Sequence, residues 1–254
     1  MRRRPLSRRD FLASIGAASL AALVPPVPSS GQQLPRVGLG SWITFNVGDD
    51  VAARDECTEV MRAFFAGGGR HIDSSPMYGS SQAVIGYGLA RLGRPKELFA
   101  ADKVWIGSGD AGPGQIEESR RHWGVERFDL LQVHNLMAWQ EHLTTLREMK
   151  AAGRLRFVGV TTSHGRRHDE LERILRGEQL DFVQLSYSAA TRDVEARLTR
   201  FFEALDNVVL SVAADVQFVD MRYTNGFAVG WKLQRAAQAA PEEDLPRTEQ
   251  LPRA

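Results

Sequence analysis

What most limits the fold of this chain is a strict alternation of short apolar runs and amphipathic stretches. From Gln33 onward "LPRVGLGSW" predicts a strand and "DECTEVMRAFFAGG" a helix ending in glycines. The pair then repeats: "RHIDSS" with "SQAVIGYGLARLG", "ELFAADKVW" with "GQIEESRRHWG", and "FDLLQVHN" with "WQEHLTTLREMKAAG". It continues as "RFVGVTTS" with "RRHDELERILRG" and "LDFVQLSYS" with "DVEARLTRFFEALD", and "NVVLSVAA" is a candidate seventh strand. The strands are Leu-rich or β-branched with little polar alternation, as expected when both faces are buried. Gly93, Gly124, Gly153 and Gly177 stand where helices need a left-handed cap. A β-α repeat of roughly 30 residues demands a parallel sheet, either doubly wound or closed as a barrel.

The 254 residues suffice for one large α/β domain or two small ones. With 43% hydrophobic and 25% charged residues, the chain carries enough apolar material for a sizeable core. The formal net charge is +1, and part of the positive charge sits in "MRRRPLSRRD". No basic patch interleaved with aromatics stands out, which argues against nucleic acid as a partner. A lone cysteine, Cys57, excludes an internal disulfide framework and a multi-Cys metal site. It reads as a small buried residue on a helix.

Both termini differ from the repeat. "SRRDFL" is followed by the apolar "ASIGAASLAALV" and the break "PPVPSSGQQ", the layout of an export signal over residues 1–30. The apolar run is too short and too weakly hydrophobic for a stable membrane span. Arg8-Arg9 followed by Phe11-Leu12 resembles the bacterial twin-arginine signal. That resemblance implies the twin-arginine export machinery as a partner and a periplasmic destination, while the small residues around Val27-Pro28-Ser29 place a cut near Ser29 or Ser30. Residues 31–240 then form the barrel domain, and "APEEDLPRTEQLPRA" makes a polar, Pro-punctuated tail, disordered over 241–254.

In a parallel barrel, chemistry collects where strands end and loops begin. The second strand ends at Asp73, and Tyr78 follows in a turn of Ser, Pro and Gly. The third ends near Lys103, the fourth at His134-Asn135, and the fifth at Thr161-Thr162-Ser163; the sixth carries Gln184 and Tyr187. Lysine is scarce, only Lys96, Lys103, Lys150 and Lys232, so one at a strand end is notable. A buried lysine is costly unless paired, and Asp73 is the obvious partner. These residue types suit carbonyl reduction. A phenol has a reference pKa of about 10, which a nearby ammonium lowers. Tyr78 can then protonate a carbonyl oxygen as hydride reaches the carbon, help worth about 10²–10⁴-fold. Asp73 would hold Lys103, and His134 would orient the carbonyl. Each residue alone has a plain structural reading: a turn aspartate, a core tyrosine, a buried histidine. The ordered set at successive strand ends is what favours chemistry. His164 and His168 lie on a polar helix start and read as solvated.

"GGGRHIDSSPMYGSSQAVIGYGLA" resembles the signature of the aldo-keto reductases, an Asp and a Tyr five apart followed by Gly and a helix. The resemblance continues through "GLGSW", "DKV", "DLLQVHN", "MKAAGRLRFVGVTTS" and "FVQLSYS", covering roughly residues 34–206. It implies a TIM-type (β/α)8 barrel that reduces aldehydes and ketones with NADPH, less often NADH. It also implies Tyr78 as acid, tuned by Lys103 and Asp73, with His134 orienting the substrate. Gln184 would hold the nicotinamide amide; Gly40, Ser41, Trp42 and Asp73 would line the cofactor site. Trp42 and Trp105 would shape the substrate pocket. Where the family commonly has Ser-Asn, this chain has Thr161-Thr162, whose hydroxyls can still hydrogen-bond an amide.

"GSGDAG", Gly107 to Gly112, fits a dinucleotide fingerprint and would make the fold doubly wound. It follows the third strand rather than opening the first unit, and Pro113 marks a helix start, so a loop is the better reading. After about Asp206 the family pattern fades. "FAVGWKLQRAAQAA" reads as one amphipathic helix, and no eighth strand is legible. The expected fold is therefore a parallel barrel incomplete at its C-terminal end, with two open sheet edges. The expected function is NAD(P)H-dependent reduction of a small carbonyl compound. The alternative is a barrel relic that binds or scaffolds without turnover.

Overall fold

The structure is a computed structural model that describes residues 27, 29–35, 37–163 and 167–186, with the strand backbone of 209–217 and 223–229. The twin-arginine pair, most of the export segment, His164, Tyr187, the helix expected over 193–206 and the polar tail lie outside the described residues.

Strands and helices alternate as the sequence predicts. The strands β1 (Val37–Gly40), β2 (His71–Asp73), β3 (Phe99–Val104), β4 (Phe128–Val133), β5 (Leu155–Thr161), β6 (Phe182–Ser186) and β7 (Val209–Gln217) pair in parallel and in chain order. Between them run α1 (Val51–Ala66), α2 (Ser81–Arg91), α3 (Gly112–Trp123), α4 (Trp139–Ala151) and α5 (His168–Gly177). Local rules explain several boundaries. Asp50 caps α1 by accepting the Ala53 N–H at 3.1 Å. Pro113 sits in the first turn of α3, and Gly124 closes that helix at φ 64°, a left-handed cap. The "GSGDAG" stretch is thus the loop into α3 and not the opening of a doubly wound unit.

The expected barrel, incomplete in its C-terminal βα units, is what the structure shows; what the sequence did not reveal is the strand that stands at that end. An eighth strand, β8 (Tyr223–Val229), pairs antiparallel with both β7 and β1 and closes the barrel. Residues 227–229, expected in a helix, are strand, and among the described strands β1 and β7 are both paired by β8 rather than left as open edges. The reason is length: only residues 218–222 join β7 to β8. A parallel return needs a crossover of a dozen or more residues, whereas a short connection permits a hairpin. An eighth parallel βα unit is therefore missing among the described residues, and a hairpin strand fills its place.

Strand alternation sorts the barrel interior into layers. His71, Phe99, Phe157 and Phe182 fill the end where the strands begin, with Val27 and Leu34 buried against that cluster. Two and four residues further along, the same faces present Asp73, Lys103, Gln132, Thr161 and Gln184, all buried. Gly159 lies between the layers; a Cβ there would meet Gln132 Cγ at 3.1 Å and the Phe182 carbonyl oxygen at 2.6 Å. A second apolar layer, including Met61, Ile85, Trp123 and Leu146, packs the helices onto the outside of the strands.

Candidate active site

The polar layer lies at the C-terminal ends of the strands. Lys103 and Asp73 form an ion pair with both side chains fully buried. Lys103 also donates to the Ser74 carbonyl at 2.8 Å, and Gln132 Nε2 approaches Asp73 Oδ1 at 3.4 Å. Burial drives the Asp73 carboxyl above its ordinary value, with Lys103 opposing. Burial pulls the Lys103 ammonium down, yet the charge and hydrogen bond of Asp73 oppose it and the net direction is up. Lys103 therefore stays charged. The sequence expectation that a buried lysine here needs Asp73 is met.

Tyr78 stands over this pair. The Lys103 Nζ is 5.0 Å from its ring centroid. Burial raises the phenol pKa above its usual value; the Lys103 charge and hydrogen bond pull the other way but do not win. The expected lowering by the ammonium is thus one force of two, and the net direction is upward. The turn is held from outside. The Ser81 hydroxyl, at the start of α2, lies 2.7 Å from the Tyr78 carbonyl oxygen and 3.0 Å from that of Ser41. Gly79, at φ 59°, leaves room for Asn46, whose Oδ1 accepts the Ser80 N–H at 2.9 Å. A Cβ on Gly79 would come within 2.3 Å of that oxygen.

His134 meets the Tyr78 ring edge-on, centroids 5.8 Å apart. Its Nδ1 is 2.7 Å from Ser75 Oγ. Burial, then the Lys103 charge, lowers its pKa to about 2, so the imidazole is neutral. The segment after it is strained, with Asn135, Leu136 and Ala138 all at positive φ. Arg167 braces it by donating to the Asn135 and Leu136 carbonyls at 2.8 and 2.9 Å.

Around this group lie the remaining predicted positions. The buried Ser41 follows Gly40 at the end of β1; its hydroxyl is 3.0 Å from the Asp73 carbonyl oxygen and 2.9 Å from Ser74 Oγ. Trp42 sits next, its ring centroid 6.4 Å from that of Tyr78. Trp105, 37% exposed, stands two residues beyond Lys103. Thr161 Oγ1 accepts the Asn135 N–H at 3.0 Å, and the Thr162 N–H donates to the Gln184 carbonyl at 2.9 Å. His168, expected to be solvated, is buried.

Among the described residues, two side-chain atoms just beyond β4 and β5 are buried without a hydrogen-bond partner, Asn135 Oδ1 and Thr162 Oγ1, and the Gln184 amide on β6 has Asp73 as its one weak partner. That contact favours the charged form of Asp73. Orphaned polar groups on segments that hydrogen-bond one another call for a ligand of matching chemistry. A carboxamide needs a donor for its carbonyl and an acceptor for its NH₂, and this set offers both. The residues present thus fit the amide of a nicotinamide. Sequence reasoning passed over Ser75, Gln132 and Asn135 as site residues. Gln132 was findable, since it lies two residues before His134 on the same strand face. Ser75 carried no such signal, because its partner is remote in the chain.

Among curated proteins, the chain is 28% identical over 171 residues to methylglyoxal reductase YeaE of Escherichia coli, covering 66% of this chain and 59% of that protein. It is 25% identical over 211 residues to the NADH-specific methylglyoxal reductase of the same organism, covering 68% and 61%. It therefore spans about three fifths of the length of these relatives. Among solved structures, the holo form of an aldo-keto reductase from Bacillus halodurans aligns with a TM-score of 0.62 at 19% identity, covering 74% of this chain and 64% of that one. An aldo/keto reductase from Klebsiella pneumoniae, in complex with NADP and acetate, aligns with a TM-score of 0.59 at 22% identity, covering 72% and 65%. The family profile matches residues 36–250, running well past Asp206, where the motifs fade. By that match over most of its length, the chain belongs to the aldo/keto reductase family.

Proposed function

We propose that the protein reduces a small aldehyde or ketone with NADPH or NADH, and that Tyr78 gives the proton. The observation that carries this reading is the buried Lys103–Asp73 pair beneath the Tyr78 ring, with a neutral His134 edge-on to the same ring. A bound nicotinamide supplies the hydride. Thr162, Gln184 and Asn135 hold its amide, and Gly40, Ser41 and Trp42 line its site. Tyr78 donates its phenolic proton to the carbonyl oxygen. Because burial raises its pKa, the phenol is protonated at neutral pH and the donor is loaded. The Lys103 ammonium stabilises the phenolate left behind, and Asp73 keeps that ammonium in place. His134 orients the carbonyl through a hydrogen bond.

The two methylglyoxal reductases among the relatives make a small 2-oxoaldehyde the first substrate to try. The test is NADPH and NADH oxidation by the purified protein with methylglyoxal and a panel of aldehydes. Tyr78→Phe keeps the ring and removes the donor. It should lower turnover by at least about 10², the lower end for general acid catalysis, with cofactor affinity nearly intact. Full activity of the Phe variant on any carbonyl that the parent reduces sinks the assignment.

A binding or scaffold role without turnover is the second reading, supported by the hairpin strand that stands where an eighth βα unit would be. Titration of nicotinamide fluorescence separates the two: binding favours the enzyme, silence the scaffold. Export to the periplasm by the twin-arginine route is also proposed, on Arg8-Arg9 and the apolar run behind them. Among the described residues, no helix is long and apolar enough to cross a membrane. Replacing both arginines with lysine should hold the protein in the cytoplasm. Unchanged periplasmic recovery on fractionation counts against the route.

A further inference from the structure

We infer that Ser75 sets the tautomer of His134, fixing the imidazole proton on Nε2, and is thereby a positioning residue for the site. The meaning of this inference rests on the proposed carbonyl reduction; its principal readout does not.

The argument is a count of protons and lone pairs. Ser75 is fully buried in the turn between β2 and Tyr78. Its Oγ has one proton to give and two lone pairs to fill. One lone pair accepts the Met77 N–H at 3.3 Å. The remaining contact is His134 Nδ1 at 2.7 Å, the length of a good hydrogen bond. Two arrangements satisfy that contact. In the first, Ser75 donates to a bare Nδ1, and the ring proton sits on Nε2. In the second, Nδ1–H donates to Ser75, and the serine proton must find another acceptor. The described residues offer no such acceptor. The second arrangement buries an unpaired donor, and the penalty for that exceeds the net gain of the bond itself. The first arrangement leaves neither group unpaired.

The choice matters at the other ring nitrogen. A carbonyl oxygen accepts and does not donate, so orienting it requires an N–H. No described residue hydrogen-bonds His134 Nε2. A neutral ring with its proton on Nδ1 would turn a lone pair toward a substrate oxygen. Protonating the ring is no remedy, because the Lys103 ammonium and burial both oppose a second charge there. The tautomer is therefore the means by which His134 becomes a donor, and Ser75 selects it.

The test is nitrogen-15 NMR of histidine-labelled full-length protein, with the His134 signals identified by their loss in His134→Asn. The parent should show Nδ1 unprotonated and Nε2 protonated across neutral pH. Ser75→Ala should lose this preference and populate both tautomers. Ser75→Thr, which keeps the hydroxyl, should retain it. In parallel, Ser75→Ala should lose roughly 10–100-fold in kcat/KM for the carbonyl, by analogy with the loss on removing the hydrogen-bond partner that orients a metal-bound histidine. Its Kd for NADPH should stay unchanged, and Ser75→Thr should recover most of the loss. A parent spectrum with the proton on Nδ1 overturns the inference, as does a Ser75→Ala protein that keeps a pure Nε2–H form. Should Ser75→Ala fail to fold, the parent and Ser75→Thr spectra decide. A parent that reduces no carbonyl yet shows the expected tautomer defeats the proposed reaction and leaves the Ser75–His134 assignment standing.

Discussion

His71 is a polar residue in an aromatic setting. It is buried, stacked on Phe99 at 5.1 Å, and neither ring nitrogen has a hydrogen-bond partner among the described residues. Burial, then the Lys103 charge, lowers its pKa from 6.5 to about 3. Between those values the unfolded chain binds a proton that the folded one refuses, so stability rises with pH there. The contribution is complete above about pH 6.5 and is lost as pH falls toward about 3. His134, lowered to about 2, acts with the same sign; Asp102, raised by burial to about 7, acts oppositely. The effect of His71 alone is isolated by comparison with His71→Phe in denaturant unfolding at pH 7.5 and pH 5. The free-energy gap should shift by about 2 kcal/mol in favour of the variant at the lower pH. Any packing penalty of the larger ring is the same at both pH values and drops out. A gap that does not move shows that His71 is charged or solvated in the fold. At this scale the candidate site was largely legible: Asp73, Lys103 and His134 were marked by residue type at strand ends, and Tyr78 by its place in the turn that follows one. The net direction of the Tyr78 pKa was not, since sequence displays the nearby ammonium but not the burial that outweighs it.

The elements were read from period and punctuation, and where those signals are local the reading holds. Pro113 and Gly124 bracket α3, and Asp50 opens α1. What period cannot show is how helices approach one another. Gly86 lies on α2 against the end of α3, and a Cβ there would come within 2.0 Å of the His122 carbonyl oxygen. That glycine reads in sequence as a weak point of a helix, whereas in space it permits contact between two backbones. Asp102 makes the same point on the outer face of β3. It accepts from Gln82 Nε2 at 2.8 Å, and that nitrogen also reaches Ser119 Oγ at 2.9 Å, tying β3 to α2 and α3. Neighbouring Lys103 and Asp102 thus serve opposite sides of one strand, the first facing the site and the second clamping helices. The loop after β4 was equally illegible, because Leu136 and Ala138 take positive φ against their local preference, and Arg167, from another unit, holds the Asn135 and Leu136 carbonyls.

At the scale of the molecule, the barrel depends on β8 for closure. The strand takes three register positions on β1 and seven on β7, all antiparallel. Sequence reading missed it because the family pattern primes for a parallel unit of roughly 30 residues. The five-residue connection 218–222 instead leaves only the hairpin. Removing β8 would expose one edge of β1 and one of β7. Each ladder hydrogen bond has a net worth of about 1 kcal/mol. Losing several is a large part of the roughly 5–15 kcal/mol that holds a domain, and the bare edges invite pairing between molecules. A chain ending at Gln217 should therefore melt at a markedly lower temperature or form soluble aggregates. A chain ending after Val229 keeps β8 and should melt cooperatively, close to the full-length protein. Thermal unfolding by circular dichroism with size-exclusion chromatography reads both. If the chain ending at Gln217 stays monomeric and melts where the full-length protein does, the antiparallel strand contributes nothing to closure, and the seven parallel strands hold the barrel by their own packing.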